Sequence, residues 1–288
     1  MRQAYIKYIF ALLLFGSNGI VVSHISLPSY EIVLFRALLG SLLLMILFFF
    51  SGHRLSALQY KKDTFSIALS GVAMAADWLF LFEAYARIGV SMGMLINYCG
   101  PAIVVTLSPL IFQERITWKK LIALIAAVAG VFLIGGQAAF AGASAWGLFC
   151  AGLSAVAYAA MVICNKMSKQ VTGIENSVLQ LLFTFSTVAI FFGCKQGFHL
   201  EIASGDWLPI LWIGLLNTGA GCYFYFSSIS RLPVQTVAIC GYLEPLSAVI
   251  FSIIFLHETM LPLQILGAVL IIGGAVLGES NHLFVTRE

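Results

Sequence analysis

Charge is what this sequence has least of. Only 9% of its 288 residues are Asp, Glu, Lys or Arg, against roughly 25% in soluble domains. That shortage excludes a water-exposed globule. The net charge of +3 is small and its basic residues are scattered, which excludes a nucleic-acid partner. Catalytic groups are equally sparse. His24, His53, His199, His257 and His282 fall in loops or at the ends of apolar runs. There is no HExxH pair, no deep Ser/His/Asp or Cys/His set, no metal-ligand spacing and no Gly-rich phosphate loop. The chain therefore reads as a non-enzyme, with no cofactor and no metal. Its six cysteines form no CxxC pair and read as inert apolar filler inside the spans.

What the chain has instead is apolar length. Hydrophobic residues make up 61% of it, and the mean hydropathy is +1.00. A bilayer core of roughly 30 Å is crossed by about 20 apolar residues in a helix. That ruler predicts ten spans, near 5–23, 31–50, 64–86, 90–112, 118–136, 144–166, 176–194, 207–229, 235–256 and 262–279. No stretch remains for a soluble domain, so the fold class is an all-α polytopic membrane protein with the lipid bilayer as its first partner. The first span is kept rather than read as a signal peptide, because no small-x-small cleavage site follows it. With the N-terminus inside, twelve of the fifteen Lys and Arg fall on the cytoplasmic side and three, Arg36, Arg87 and Lys195, on the other. This positive-inside bias places both termini in the cytoplasm.

The two halves repeat. Sliding the sequence by 144 residues sets Tyr98, Pro101, Val105, Ser108 and Glu114 on Tyr242, Pro245, Val249, Ser252 and Glu258. The same offset pairs Ala76, Phe80, Phe82, Arg87 and Val90 with Ala220, Phe224, Phe226, Arg231 and Val234, and Gly130 with Gly274. The domains are thus a five-helix repeat over 1–143 and a second over 144–288. Five is odd, so the second repeat enters the membrane from the opposite side. Inverted repeats are the architecture of alternating-access transporters, whose substrate site lies near the midplane between the halves.

The segment closing each repeat, with its Pro and Glu, is followed by a Gly-containing last span (GAVLIIGGAVLGE, 267–279). Together with FRALLG at 35–40 these resemble the EamA family of the drug/metabolite transporter superfamily. The resemblance covers nearly the whole chain. It implies ten helices, both termini inside, a bacterial inner membrane, and transport of small metabolites, often outward.

Against this background the buried polar groups stand out. Glu244 lies roughly 14 Å along the ninth span at 1.5 Å per residue, close to the midplane, and its repeat mate is Gly100. A lone carboxylate there is costly unless protonated, paired or facing water. Two readings stay open: a proton carrier or cation ligand, or a protonated acid packed within the bundle. Pro101 and Pro245 each remove a helix hydrogen bond, to the carbonyls of Asn97 and Gly241, and predict matching kinks beside Tyr98 and Tyr242. Asp77 lies about as deep as Glu244, next to Trp78. It is a second proton-coupling candidate or a structural partner for Arg36. Glu83 and Arg87 are spaced to pair near the surface. Glu114 and Glu258 read as structural charges at the start of the helix that follows each.

The substrate-binding candidates are accordingly Asn18, Asp77, Trp78, Asn97, Tyr98, Tyr225, Tyr242 and Glu244. Carboxylates among aromatic faces suit an organic cation, although each ring alone is equally at home in a core. The reading is a secondary transporter for an amino acid or organic amine, proton-coupled through Glu244 or Asp77, monomeric or homodimeric. An uncoupled facilitator or channel is the alternative.

Overall fold

The computed structural model describes residues 2–22, 24–52, 55–88, 90–135, 144–196, 202–256 and 262–283, and each predicted span falls on helix within them. The helices are α1 Arg2–Gly16, α2 Asn18–Val22, α3 Ser29–Phe50, α4 Lys61–Ile88, α5 Val90–Asn97, α6 Gly100–Phe112 and α7 Trp118–Gly135. The second repeat supplies α8 Ala145–Met167, α9 Gly173–Gln196, α10 Trp207–Leu211, α11 Gly221–Ile229, α12 Val234–Gly241, α13 Leu243–Leu256 and α14 Pro262–Leu283. A π-helical stretch, Trp212–Ala220, joins α10 to α11 without a break. Among the described residues there is no strand. That is the economical solution in hydrocarbon, where a helix satisfies its own backbone groups. Among the described residues, five helical segments are long and apolar enough by themselves to cross a bilayer: Arg2–Val22, Tyr30–Phe50, Lys61–Ile88, Ala145–Met167 and Gly173–Lys195. Large apolar side chains such as Phe49, Phe50 and Leu110 stand exposed, as lipid-facing residues do.

Two compact units arise, and each draws helices from both repeats. The first comprises Met1–Leu79 and Ala160–Leu232; the second comprises Phe80–Ala159 and Pro233–Glu288.

In the first unit, carboxylates tie loops together. Asp63, in the first turn of α4, accepts hydrogen bonds from the amides of Lys169 (2.8 Å) and Gln170 (2.5 Å). Asp206 accepts from the Ser26 amide at 3.0 Å. An offset of 143 residues relates Asp63 to Asp206 and Ser26 to Lys169, so one latch recurs in both repeats. Glu175 accepts from the amides of Ser56 (2.7 Å) and Ala57 (2.8 Å). Lys166 donates to the carbonyls of Ile229 and Leu232. Each of these bonds joins two loops that an alternating chain places on the same side of the membrane. Deeper in the unit, Asn165 donates to Asn176 (2.9 Å) and Gln180 (3.0 Å), clamping α8 to α9.

In the second unit α7 and α14 cross at glycines. A β-carbon on Gly130 would stand 2.5 Å from the carbonyl oxygen of Gly267, and one on Gly274 would stand 2.8 Å from that of Ala123. Gly130 and Gly274 are repeat mates, as are Ala123 and Gly267. The contact is therefore the same patch used twice, the signature of a two-fold relation. Because 130 meets 267 while 123 meets 274, the two helices run antiparallel. Equivalent helices that are antiparallel are what inversion of the second repeat means. Small residues let such backbones touch in a membrane, where packing replaces the hydrophobic driving force.

Glu114 corrects the sequence reading in one respect. It does sit at a helix N-terminus, but that of α12, not of the helix following it. It accepts from the amides of Val234 (2.9 Å) and Gln235 (3.3 Å), and Gln235 in turn donates to Ser108 at 2.7 Å. Glu258 lies outside the described residues, as do His53, His199 and His257. Losing the cap of a helix costs about 0.5–2 kcal/mol. We expect Glu114→Ala to lower the melting temperature of the detergent-solubilised protein. Glu83→Ala should barely move it, because Glu83 only serves an exposed pair with Arg87 (3.1 Å) and Trp146 (3.3 Å).

Candidate functional site

The two proline positions do more than bend their spans. In the first repeat the helix stops at Asn97, turns through Tyr98 and Cys99, and restarts at Gly100 with Pro101 in its first turn. The second stops at Gly241 and restarts at Leu243, with Tyr242 as the turn residue and Pro245 in the new first turn. Tyr242 keeps a right-handed φ of −67° with ψ flattened to −8°. Cys99 does the same at φ −71° and ψ −17°. Each interruption thus leaves two half-helices joined by a tight turn. Pro is well tolerated in a first helical turn, where its missing N–H would have no partner anyway. The positions expected to kink are thus where the helical hydrogen-bond ladder is interrupted, two to three residues before each proline, with Cys99 and Tyr242 keeping right-handed backbone angles.

Glu244 falls in the first turn of α13. A negative charge is favoured there by the partial positive charge of the helix N-terminus. Tyr98, from the other break, has Glu244, Tyr85 and Tyr158 as its electrostatic neighbours. Tyr242 is completely buried and lies against Cys99 and Ala102 of the first break. Each turn tyrosine thus has a neighbour in the first turn of the opposite repeat's following helix, Glu244 for Tyr98 and Ala102 for Tyr242. Asn97, at the end of α5, donates from its side-chain amide to Ser154 of α8 at 3.1 Å. Four of the eight sequence candidates, Asn97, Tyr98, Tyr242 and Glu244, are therefore gathered in the second unit around the paired breaks.

The asymmetry between Glu244 and Gly100 has a steric cause. A β-carbon at Gly100 would sit 2.7 Å from the Tyr158 ring and 2.9 Å from the carbonyl oxygen of Ala155. The backbone of α8 comes too close for any side chain there.

The other four candidates belong to the first unit. Asp77 is buried, and its neighbour Trp78 carries the Arg36 guanidinium over its ring, 4.1 Å from the centroid. One face of Trp78 is thus already given to an internal cation. Arg36 also donates through Nε to Thr218 Oγ1 at 3.0 Å. Thr218 itself donates to Ile213 O, five residues back, at 2.8 Å, inside the π-helical stretch. Asn18 begins α2, just past the interruption of the first span at Ser17. It accepts from Asn217 Nδ2 at 2.9 Å, and the same amide donates to Leu14 O (3.0 Å) and Ser17 Oγ (2.9 Å). Tyr225 packs on Tyr8 at 5.4 Å between ring centroids and on Phe15 at 5.9 Å, an aromatic core between α1 and α11.

Thr218, Asn217 and Tyr8 escaped the sequence reading. The first two are ordinary residues in an apolar run, and only the π-helical register points them at α3 and α1. The loop carboxylates escaped it too, since Asp63 and Asp206 are related by 143 residues, one short of the 144-residue repeat offset. The six cysteines are free thiols, and Cys194 is exposed rather than buried. Among the described residues no three His, Cys, Asp or Glu side chains gather as a metal set would.

Comparison with known proteins fits this geometry. The profile of the EamA-like transporter family matches residues 3–136 and again 145–278, the two repeats found by offset. The uncharacterized transporter YxxF of Bacillus subtilis is 24% identical over 277 residues, covering 95% of this chain and 88% of its own. The uncharacterized inner membrane transporter YicL of Salmonella typhimurium is 22% identical, over 96% of this chain and 95% of its own. A probable terminal-alkyne amino-acid exporter of Streptantibioticus cattleyicolor is 24% identical over 79% of this chain and 77% of its own. One solved crystal structure matches all of this chain and 99% of that one, with a TM-score of 0.81 at 16% identity, which shows a shared fold. With a family match in both repeats and helices apolar enough to span a bilayer, the protein is an integral membrane transporter of the EamA-like family, within the drug/metabolite transporter superfamily.

Proposed function

We propose that the protein moves a small amino acid or organic amine across a bacterial inner membrane by alternating access, with both termini in the cytoplasm. In this reading Glu244 receives the substrate's ammonium group and is the group that carries a proton when transport is coupled. The observation that carries the reading is the placement of Glu244. The carboxylates of Asp63, Glu114, Glu175 and Asp206 hold loop or helix-end amides. Glu244 belongs to the ninth predicted span, in the first turn of α13, with Tyr242 two residues before it and Tyr98 of the first repeat as an electrostatic neighbour. Intramembrane acids in such broken helices are characteristic of substrate and ion pathways. The likeness to a relative named as an amino-acid exporter supports the substrate class.

The test is thermal stabilisation of the purified protein by cationic, zwitterionic, anionic and neutral metabolites at two pH values, with Glu244→Gln alongside. A ligand that binds only the folded state raises its stability by mass action. Shifts confined to compounds bearing an ammonium group, and lost in Glu244→Gln, are expected. Equal shifts in the variant would reduce Glu244 to a packing role.

A further inference from the structure

We infer that Lys61, Lys62 and Lys169, at one end of the first unit, form a docking surface for the headgroup of an anionic phospholipid. The inference goes beyond the proposed function and needs neither Glu244 nor a substrate. In the orientation proposed above, the lipid belongs to the cytoplasmic leaflet.

The three lysines are distant in sequence and adjacent in the fold. Lys61 and Lys62 open α4, and Asp63 beside them accepts the Lys169 amide at 2.8 Å and the Ser168 hydroxyl at 3.4 Å. The connection between α8 and α9 is thereby laid against the first turn of α4. All three lysines are exposed, and among the described residues none of their ammonium groups pairs with an acid. The acids nearby are turned to backbone instead: Asp63 holds that connection, and Glu175 accepts the amides of Ser56 and Ala57. Even counting both carboxylates, positive charge is in excess. Asp63 gathers lysines here rather than pairing with them.

What adjoins the lysines says what kind of anion fits. Residues three or four apart share a helix face, so Lys61 heads a stripe that continues through Phe65, Leu69 and Val72. Phe65 is 71% exposed, and Leu69 and Val72 are exposed as well. That face meets acyl chains, and Lys61 stands one turn beyond it, about 6 Å from Phe65 along the axis. The connection from α3 repeats the pattern. Leu55, Leu58 and Tyr60 are exposed there outside any helix. Their turn is held by the Gln59 amide on Ser56 O (2.9 Å) and by Thr64 Oγ1 on Ala57 O (2.7 Å). Exposed apolar side chains on a fixed connection suit the bilayer interface, where Tyr also concentrates. A soluble anion would meet only the lysines; a phospholipid meets the charge and the apolar stripe together. Each lysine at an anionic membrane surface is worth roughly fivefold in affinity, so three give about 100-fold.

The experiment titrates the full chain in neutral detergent with phosphatidylglycerol or phosphatidylcholine of matched acyl chains and follows thermal stabilisation. Glycerol phosphate and inorganic phosphate serve as soluble anions. Wild type is expected to prefer phosphatidylglycerol by at least about tenfold in half-maximal concentration. The triple variant Lys61→Gln, Lys62→Gln, Lys169→Gln should shrink that preference to within about threefold. Without lipid it should melt as wild type does, because these side chains hold no partner. Arg115→Gln, Lys119→Gln, Lys120→Gln removes the same charge from the second unit and should keep the preference. Asp63→Ala separates arrangement from charge: attraction by net charge alone predicts tighter phosphatidylglycerol binding with one acid fewer, whereas the docking surface predicts weaker binding, since Lys169 is no longer held beside Lys62. Lys169→Gln against Lys120→Gln repeats the comparison with that latch intact, and a loss of roughly fivefold is expected in the first alone. No preference in wild type, equal losses in the two triple variants, or tighter binding in Asp63→Ala would overturn the inference. Soluble phosphates that stabilise as well as phosphatidylglycerol would overturn the lipid as occupant. Each of these results leaves the role proposed for Glu244 untouched.

Discussion

Glu244→Gln is expected to lower substrate transport in proteoliposomes by roughly 100-fold, the size of effect that follows from stripping one partner from a buried ion pair. Gln keeps the shape and the hydrogen-bonding capacity of the side chain, so the fold should persist and the protein should still be extracted as a folded species. The remaining activity should lose its dependence on pH. In the wild type, acidification protonates the carboxylate and removes the charge that holds an ammonium group, so affinity falls toward low pH; Gln has no such step. Glu244→Asp restores the charge on a shorter stem and should recover part of the rate together with the pH dependence. Wild-type transport and an unaltered pH profile in Glu244→Gln would sink the assignment, because a neutral amide would then serve as well as an acid.

Gly130→Val or Gly274→Val should cost the second unit its central helix crossing. A β-carbon at either position meets a backbone carbonyl, of Gly267 at 2.5 Å or of Ala123 at 2.8 Å. A carbonyl within a helix cannot swing aside as a side-chain tip can, so α7 and α14 must separate. Overpacking of this kind typically costs about 1–3 kcal/mol, and a branched side chain adds to it. Since the contact is two-fold symmetric, the two single variants should lose similar amounts. The double variant should lose less than their sum, because helices already forced apart make room for the second side chain. Gly273→Ala is the control: nothing lies within 4 Å of its built β-carbon, and Ala favours helix over Gly by about 1 kcal/mol. Melting temperatures in detergent, with the monodisperse fraction recovered after extraction, measure all four. A Gly130→Val protein as stable as wild type would mean that the crossing carries little of the fold's stability.

The helical segments and the inverted repeat were legible because both are written in period and offset. Apolar length marks a helix wherever water is excluded, and the 144-residue shift survives in Tyr98/Tyr242, Pro101/Pro245 and Gly130/Gly274. The interruptions at Cys99 and Tyr242 were legible through the prolines that follow them. Proline announces a lost hydrogen bond, but whether the helix bends or stops depends on how the preceding turn closes. Here Cys99 and Tyr242 close it while keeping right-handed backbone angles. Glu114 shows a similar limit. Its charge at a helix end was readable, whereas the helix it caps begins 120 residues later at Val234, a partnership that no local pattern encodes.

The sequence by itself determined an all-helical membrane protein, its doubled and inverted plan, and the presence of an acid within an apolar run, because hydropathy and repetition are properties of residues in order. Tertiary structure alone decided the neighbours. It gave Trp78 to Arg36 and Asn18 to Asn217, set Tyr225 in an aromatic core, and turned Tyr242 onto the first turn of α6. The physical reason is that a hydrogen bond or ring contact reaches only a few ångströms, and which side chains come that close is fixed by how glycines such as Gly100 and Gly130 let backbones approach.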